Sequence, residues 1–292
     1  MAARRHVLKM RYCMRPGEDV VTRPLGVVVT GGTAGLGLAM ARMFLLAGDR
    51  VVICGRGHNR LEAALGQLRI EAPGGELYGM ACDVSAPGEA QAFVSYAVSK
   101  LGVIDRWINN AGTAGRLKRP LWELTPDDID ETCRTNLCGT MMLCAEVVRA
   151  MLRQPFEGSG PSFHIFNMGF SALGVRSSPT AAPHRASKRA VALSTGFLDA
   201  ELKKAGVRAI GVHELSPGLV LTDLLLKDAG IRERALFNAA AETPETVAAT
   251  LVPRIRTVSG SGGLLRYQPV ILMVARIIAS KFGYRKGRFF DG

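Results

Sequence analysis

The chain has 292 residues, 48% of them hydrophobic, which is enough apolar material for a sizeable core and too much for a disordered chain. A formal charge of +12 suits an anionic partner, yet the basic residues are dispersed and aromatics make up only 6%. With no interleaved basic–aromatic stripe, nucleic-acid binding is disfavoured, and a phosphate-bearing cofactor or an anionic membrane surface accounts for the surplus.

Six cysteines (13, 54, 82, 133, 138 and 144) contain no C-x-x-C pair and no histidine at ligand spacing, which argues against a disulfide framework and against a metal site. The first 24 residues carry Arg4, Arg5, Lys9, Arg11, Arg15 and Arg23, with no acid before Glu18. Two readings fit this stretch, the remnant of an organelle transit peptide and a solvated basic tail.

From there the spacing predicts an alternation of strands and helices. Gly26 to Val29 is a β-branched run suited to a buried strand, and Leu38 to Ala47 has helical periodicity. Between them lies Thr30-Gly31-x-x-x-Gly35-x-Gly37. A strand, a glycine turn and a helix make an anion site, because the bare backbone lets a pyrophosphate approach the free N–H groups of the helix. Arg50 to Cys54 predicts a second strand. The residues after it decide which dinucleotide fits: an acid there bonds a ribose hydroxyl, an arginine a 2′-phosphate. Here Gly55-Arg56 follows, which favours NADP(H).

A helix is predicted over Leu61 to Ile70, a strand over Leu77 to Cys82, a helix over Glu89 to Leu101 and a strand over Arg106 to Asn109. Thr125-Pro126-Asp127-Asp128 is a helix start, with a capping hydroxyl, a proline in the first turn and two acids. Strands follow at Phe163 to Asn167 and Arg208 to Leu215, separated by a small-residue loop and a long helix from about His184 to Ala205. A segment suited to an apolar lid covers about 223–242, and Thr243-Pro244-Glu245 caps one more helix. The alternation points to an α/β fold, a doubly wound parallel sheet of Rossmann type in three α/β/α layers, with the nucleotide domain over 25–258. Residues 259–263 read as a flexible joint to an apolar, then basic, extension over 259–292. Pro269 to Ala279 is too short to span a bilayer, and it reads either as a helix packed on the domain or as an interfacial anchor.

Together these motifs resemble the short-chain dehydrogenase/reductase family. The matching pieces are the glycine turn, Asn109-Asn110-Ala111-Gly112, Asn136, Ser171, Lys188 and Pro217-Gly218-Leu-Val-Leu-Thr222, in family order over roughly residues 25 to 225. The resemblance implies a site for NADPH built from Thr30, Gly31, Thr33, Gly35, Leu36, Gly37, Arg56, Asp83, Val84, Asn110, Ala111, Gly112, Lys188, Pro217, Gly218, Val220 and Thr222. Further stretches, among them Trp107 to Thr113, Gly211 to Leu226, Pro244 to Arg254 and Gly287 to Asp291, resemble the chlorophyll b reductase branch. That branch implies NADPH-dependent reduction of the 7-formyl group of chlorophyll(ide) b, a tetrapyrrole, to a hydroxymethyl group in a chloroplast, in the stroma or at the thylakoid surface. It also implies a homo-oligomer or a complex with a related reductase.

One position departs from the family. The catalytic tyrosine falls thirteen residues after the serine, and this chain has His184 there, in His184-Arg-Ala-Ser-Lys188; no tyrosine lies between Tyr96 and Tyr267. By resemblance Ser171 holds the carbonyl oxygen, Lys188 grips the nicotinamide ribose and Asn136 serves the proton path. His184 can donate a proton in principle, but the Lys188 charge works against its imidazolium form. Three outcomes follow from this site: a pigment reductase, an impaired NADPH- or pigment-binding partner subunit, or another carbonyl reductase.

Overall fold

A computed structural model describes residues 23–170, 175, 178, 180–226, 230–280, 282–285 and 287–290. Seven strands form one parallel sheet in the order β3-β2-β1-β4-β5-β6-β7. They are β1 (Gly26–Thr30), β2 (Arg50–Gly55), β3 (Leu77–Ala81), β4 (Arg106–Asn109), β5 (Phe163–Met168), β6 (Ile210–Ser216) and β7 (Leu264–Arg266). Helices α1 (Gly35–Leu46), α2 (His58–Glu71), α3 (Glu89–Leu101), α4 (Pro126–Cys133), α5 (Gly139–Met151) and α6 (Ala182–Lys204) cross between them. Helices α7 (Asp223–Leu226), α8 (Ile231–Ala240), α9 (Pro244–Thr257) and α10 (Val270–Ser280) follow β6.

The continuous apolar run of β1 is explained by burial on both faces. Val27 and Val29 pack with Met40 and Phe44 of α1 and Leu251 of α9, while Val28 packs with Phe93 of α3 and Val147 of α5. Each of these side chains is fully buried, which stabilises the sheet by about 2 kcal/mol per residue. The strand order reverses between β1 and β4, so the C-terminal ends of those two strands open a crevice, the position where such sheets bind ligands.

Helix α4 begins as its sequence predicts. The Thr125 hydroxyl accepts from Asp128 N at 3.2 Å and the Asp128 carboxylate accepts from Thr125 N at 3.3 Å. The following five residues, Arg134–Cys138, form a π-helical turn that carries Asn136.

Past residue 258 the structure departs from the sequence reading. Residues 259–263 are a pinned turn rather than a joint: Val212 N donates to Ser261 Oγ at 2.9 Å, Gly262 N donates to Val212 O at 2.9 Å, and Glu214 N donates to Gly263 O at 3.0 Å. The turn delivers β7 alongside β6, so the sheet continues to Arg266. Three residues are too short a run for periodicity to reveal.

Candidate active site

The crevice begins at the glycine turn. Gly31 (φ +63°) and Gly35 (φ +52°) occupy left-handed backbone that favours glycine, and α1 starts at Gly35 with no side-chain cap on its N–H groups. A Cβ on Gly37 would collide with the Gly31 carbonyl oxygen, so this glycine lets helix and turn close on each other. Asn110 Nδ2 pins the turn by donating to Thr30 O at 2.9 Å and Gly31 O at 3.1 Å. Thr30 Oγ1 in return accepts from Asn110 N and Ala111 N, each at 3.0 Å. Thr30 is fully buried, and its work is to join the ends of β1 and β4.

From this turn a cleft of about 860 Å³ runs in both directions. Of the cofactor residues expected from sequence, all but Thr30 and Asp83 line it. The Asp83 carboxylate turns to its own loop, accepting from Ser85 N at 2.9 Å and Ser85 Oγ at 2.6 Å. At the end beyond β2 the cleft is lined by Arg56 and Arg60, the second of which sequence reasoning missed. It stands in the first turn of α2, four residues after Arg56, and that spacing was the available signal. Arg56 is half exposed and lies 3.4 Å from Glu131, which also holds Arg116 at 2.7 Å.

At the opposite end, His184 and Lys188 stand one turn apart on α6 and both line the cleft, with Phe170 edge-on to the imidazole at 5.3 Å. Lys188 Nζ and the Asn136 amide oxygen approach Gly112 so closely that a Cβ there would meet them at 3.1 and 3.0 Å. Asn136 is fully buried and has its amide satisfied. It accepts from Thr113 N at 2.8 Å and donates to Thr113 O at 2.9 Å and Ser187 Oγ at 3.0 Å. It therefore braces the cleft from behind without lining it. Ser171 lies outside the described residues.

Burial dominates the charge states here. His184, only 3% exposed, has its pKa pushed down to about 3, first by burial and then by the Lys188 charge. Burial alone brings Lys188 down to about 8. His184 is thus a neutral imidazole near pH 7. Its Nδ1 shares a hydrogen bond with Thr180 Oγ1 at 2.8 Å, and Thr180 Oγ1 shares another with Ser178 Oγ at 2.8 Å. Ser178 lines the cleft, so a chain of hydroxyls leads from the buried imidazole back to open space. No residue pattern in the loop marks Thr180 for this position.

The far wall is the loop after β6. Its Leu219 O accepts from Glu242 N at 3.0 Å, and its Leu221 N donates to Glu242 O at 2.9 Å. The buried Glu242 carboxylate gathers Arg276 at 2.9 Å, Arg285 at 2.7 Å and Arg288 at 2.6 Å. Asn238 Oδ1 accepts from Phe289 N at 2.8 Å and Phe290 N at 3.0 Å, tying down the tail. Met273 of α10 lines the cleft, while Ile271, Val274, Ile278 and Phe282 face outward. These cations therefore serve an internal carboxylate. Among the described residues no helix is long and apolar enough to cross a membrane.

Comparison with known proteins bears on this geometry. Residues 26–230 match the model of the short chain dehydrogenase family. Over 278 residues the chain is 38% identical to the chloroplastic chlorophyll(ide) b reductase NOL of Arabidopsis thaliana, covering 93% of this chain and 78% of that protein. It is also 38% identical over 283 residues to a probable chloroplastic chlorophyll(ide) b reductase, NYC1, of the same plant, covering 92% of this chain and 55% of that protein. Among solved structures, an actinorhodin polyketide ketoreductase with NADPH superposes with a TM-score of 0.67 at 28% identity, covering 82% of this chain and 94% of that one. With the parallel sheet, the glycine turn and the α6 lysine in place, this chain belongs to the short-chain dehydrogenase/reductase family of NAD(P)-dependent oxidoreductases.

Proposed function

We propose that this protein is an NADPH-dependent reductase of the formyl group of chlorophyll(ide) b, acting in a chloroplast. The observation that carries the reading is likeness over more than nine-tenths of the chain to proteins named for that activity. The cleft fits the cofactor. Uncapped N–H groups at α1 and the side-chain-free turn suit its pyrophosphate, and Arg56 and Arg60 suit a 2′-phosphate. Lys188, Asn110 to Gly112 and the loop over 217–222 would hold the nicotinamide half.

When bound, NADPH supplies hydride to the formyl carbon, and negative charge builds on the formyl oxygen. The protein must stabilise and protonate that oxygen. With Nδ1 engaged by Thr180, Nε2 is the ring nitrogen left for the substrate. In the tautomer where Thr180 donates to Nδ1, Nε2–H gives its proton to the oxygen as Nδ1 takes one from Thr180. Thr180 takes one from Ser178, and Ser178 takes one from water in the cleft, whose hydroxide is neutralised by bulk solvent. The imidazole stays neutral throughout, as its burial requires, and the Lys188 ammonium adds positive charge nearby.

The outward face of α10, with Ile271, Val274 and Ile278, and the exposed Phe282 just beyond it support contact with the membrane that holds the pigment. Leu193 and Phe197, exposed one turn apart on α6, support pairing with a second copy or a related reductase.

The test is turnover by the full chain with NADPH and chlorophyllide b, following loss of the formyl pigment spectrum and formation of the hydroxymethyl product. Product formation by the wild type is expected. Activity confined to a His184→Tyr variant would make the natural chain a binding subunit and overturn the reading.

A further inference from the structure

A second cavity, of about 320 Å³, adjoins the catalytic end through Thr180 and shares no lining residue with the cofactor cleft. Three cations line it, Lys118, Arg119 and Arg185, against one carboxylate, Glu233. Glu233 is already committed, since it accepts from Gly230 N at 2.7 Å at the start of α8. Lys118 Nζ donates one bond to Leu225 O at 2.8 Å and keeps other donors. Arg185 Nε is buried with no hydrogen-bond partner. A guanidinium nitrogen withdrawn from water without an acceptor is costly, so the site lacks an acceptor of its own. Ala181 and Ala182 add the start of α6, a helix of 23 residues with no side-chain cap, whose positive end faces the same space.

The rim has the opposite character. Leu121 lines the cavity, is 50% exposed, and is followed by Trp122 at 84% exposure, on a short 3-10 turn. A cationic cavity with half-exposed Leu121 in its lining, and Trp122 next to it in the chain, suits a ligand that is apolar and anionic at one edge. Thr180 lines this cavity and bonds His184, so a molecule seated here is one residue from the reacting end.

We propose that this cavity receives an ionised carboxylate of the substrate, so that the free-acid pigment is preferred to its ester. The inference rests on the pigment reading above. Chlorophyllide carries as a free propionate what chlorophyll carries as an ester, and only the ionised propionate can form ion pairs with Arg119 and Arg185.

The test is a binding titration of the full chain with chlorophyllide a, which lacks the reactive formyl group, and with its methyl ester. The wild type should bind the acid about fivefold tighter than the ester, the scale of a partly exposed ion pair. Added salt should erode that difference. In an Arg119→Gln/Arg185→Gln double variant acid and ester should bind alike, with ester and NADPH affinities as in the wild type. Should the double variant fail to fold, exposed Arg119→Gln alone should show a partial loss. Equal binding of acid and ester by the wild type, or a preference indifferent to these substitutions, overturns this inference and leaves the pigment reading standing. Binding of neither pigment overturns both.

Discussion

The hydroxyl chain behind His184 gives the sharpest prediction. Thr180→Val keeps the shape of the side chain and removes the group that sits 2.8 Å from His184 Nδ1. Both partners are buried, so the substitution leaves an unsatisfied ring nitrogen and should lower stability by about 1–3 kcal/mol. That cost leaves a folded protein at 20 °C, where domains of this size hold roughly 5–15 kcal/mol. It also removes the route by which Nδ1 is reprotonated, and loss of a positioned proton donor costs roughly a hundredfold or more in rate. Single-turnover oxidation of NADPH should therefore slow about a hundredfold while NADPH affinity stays within twofold, because Thr180 does not line the cofactor cleft. Thr180→Ser should restore most of the rate. The pH profile supplies a second check. With His184 titrating at about 3 and Lys188 at about 8, the rate should be flat from pH 5.5 to 7.5 and fall as Lys188 loses its proton. A folded Thr180→Val variant with more than half the wild-type rate, or a fall in rate centred near pH 6.5, would refute the neutral-imidazole relay.

Two further substitutions test other parts of the site. Arg56→Ala should raise the Michaelis constant for NADPH about tenfold and leave that for NADH unchanged, since only the former has a phosphate for the guanidinium; steady-state kinetics with both cofactors decide it. Glu242→Gln should destabilise the fold by about 3 kcal/mol, because it strands arginines gathered on one buried carboxylate, and should weaken NADPH binding through the paired loop at Leu219 and Leu221. A thermal melt and a cofactor titration read both effects.

Acid should unfold the protein unusually early. His164, His184 and His213 have pKa values lowered to about 2, 3 and 4, chiefly by burial. Each binds its proton more readily when unfolded, so their stability is present above pH 6.5 and is lost as pH falls below it. Between pH 8 and 5.5 each should cost about 1.4 kcal/mol. A melting temperature constant across that range would show that these rings are not held neutral.

Local chemistry was enough to announce several parts of this protein. The β-branched run before Gly31, the left-handed turn, the helix start at Thr125 and the lysine one turn after His184 are each written in a few consecutive residues. The resemblance to the family, and the absence of its tyrosine, could be read there too. What only the folded chain decided depends on residues far apart in sequence. The imidazole charge follows from burial, which no neighbour in sequence sets. Asn136 and Thr30 find their hydrogen-bond partners on loops, strands and helices distant in sequence. Strand β7 exists because a pinned turn lays it against β6. Glu242 has its buried charge balanced by arginines up to 46 residues away in sequence. Propensity and period act over a turn or a strand, whereas desolvation and long-range ion pairing belong to the assembled chain.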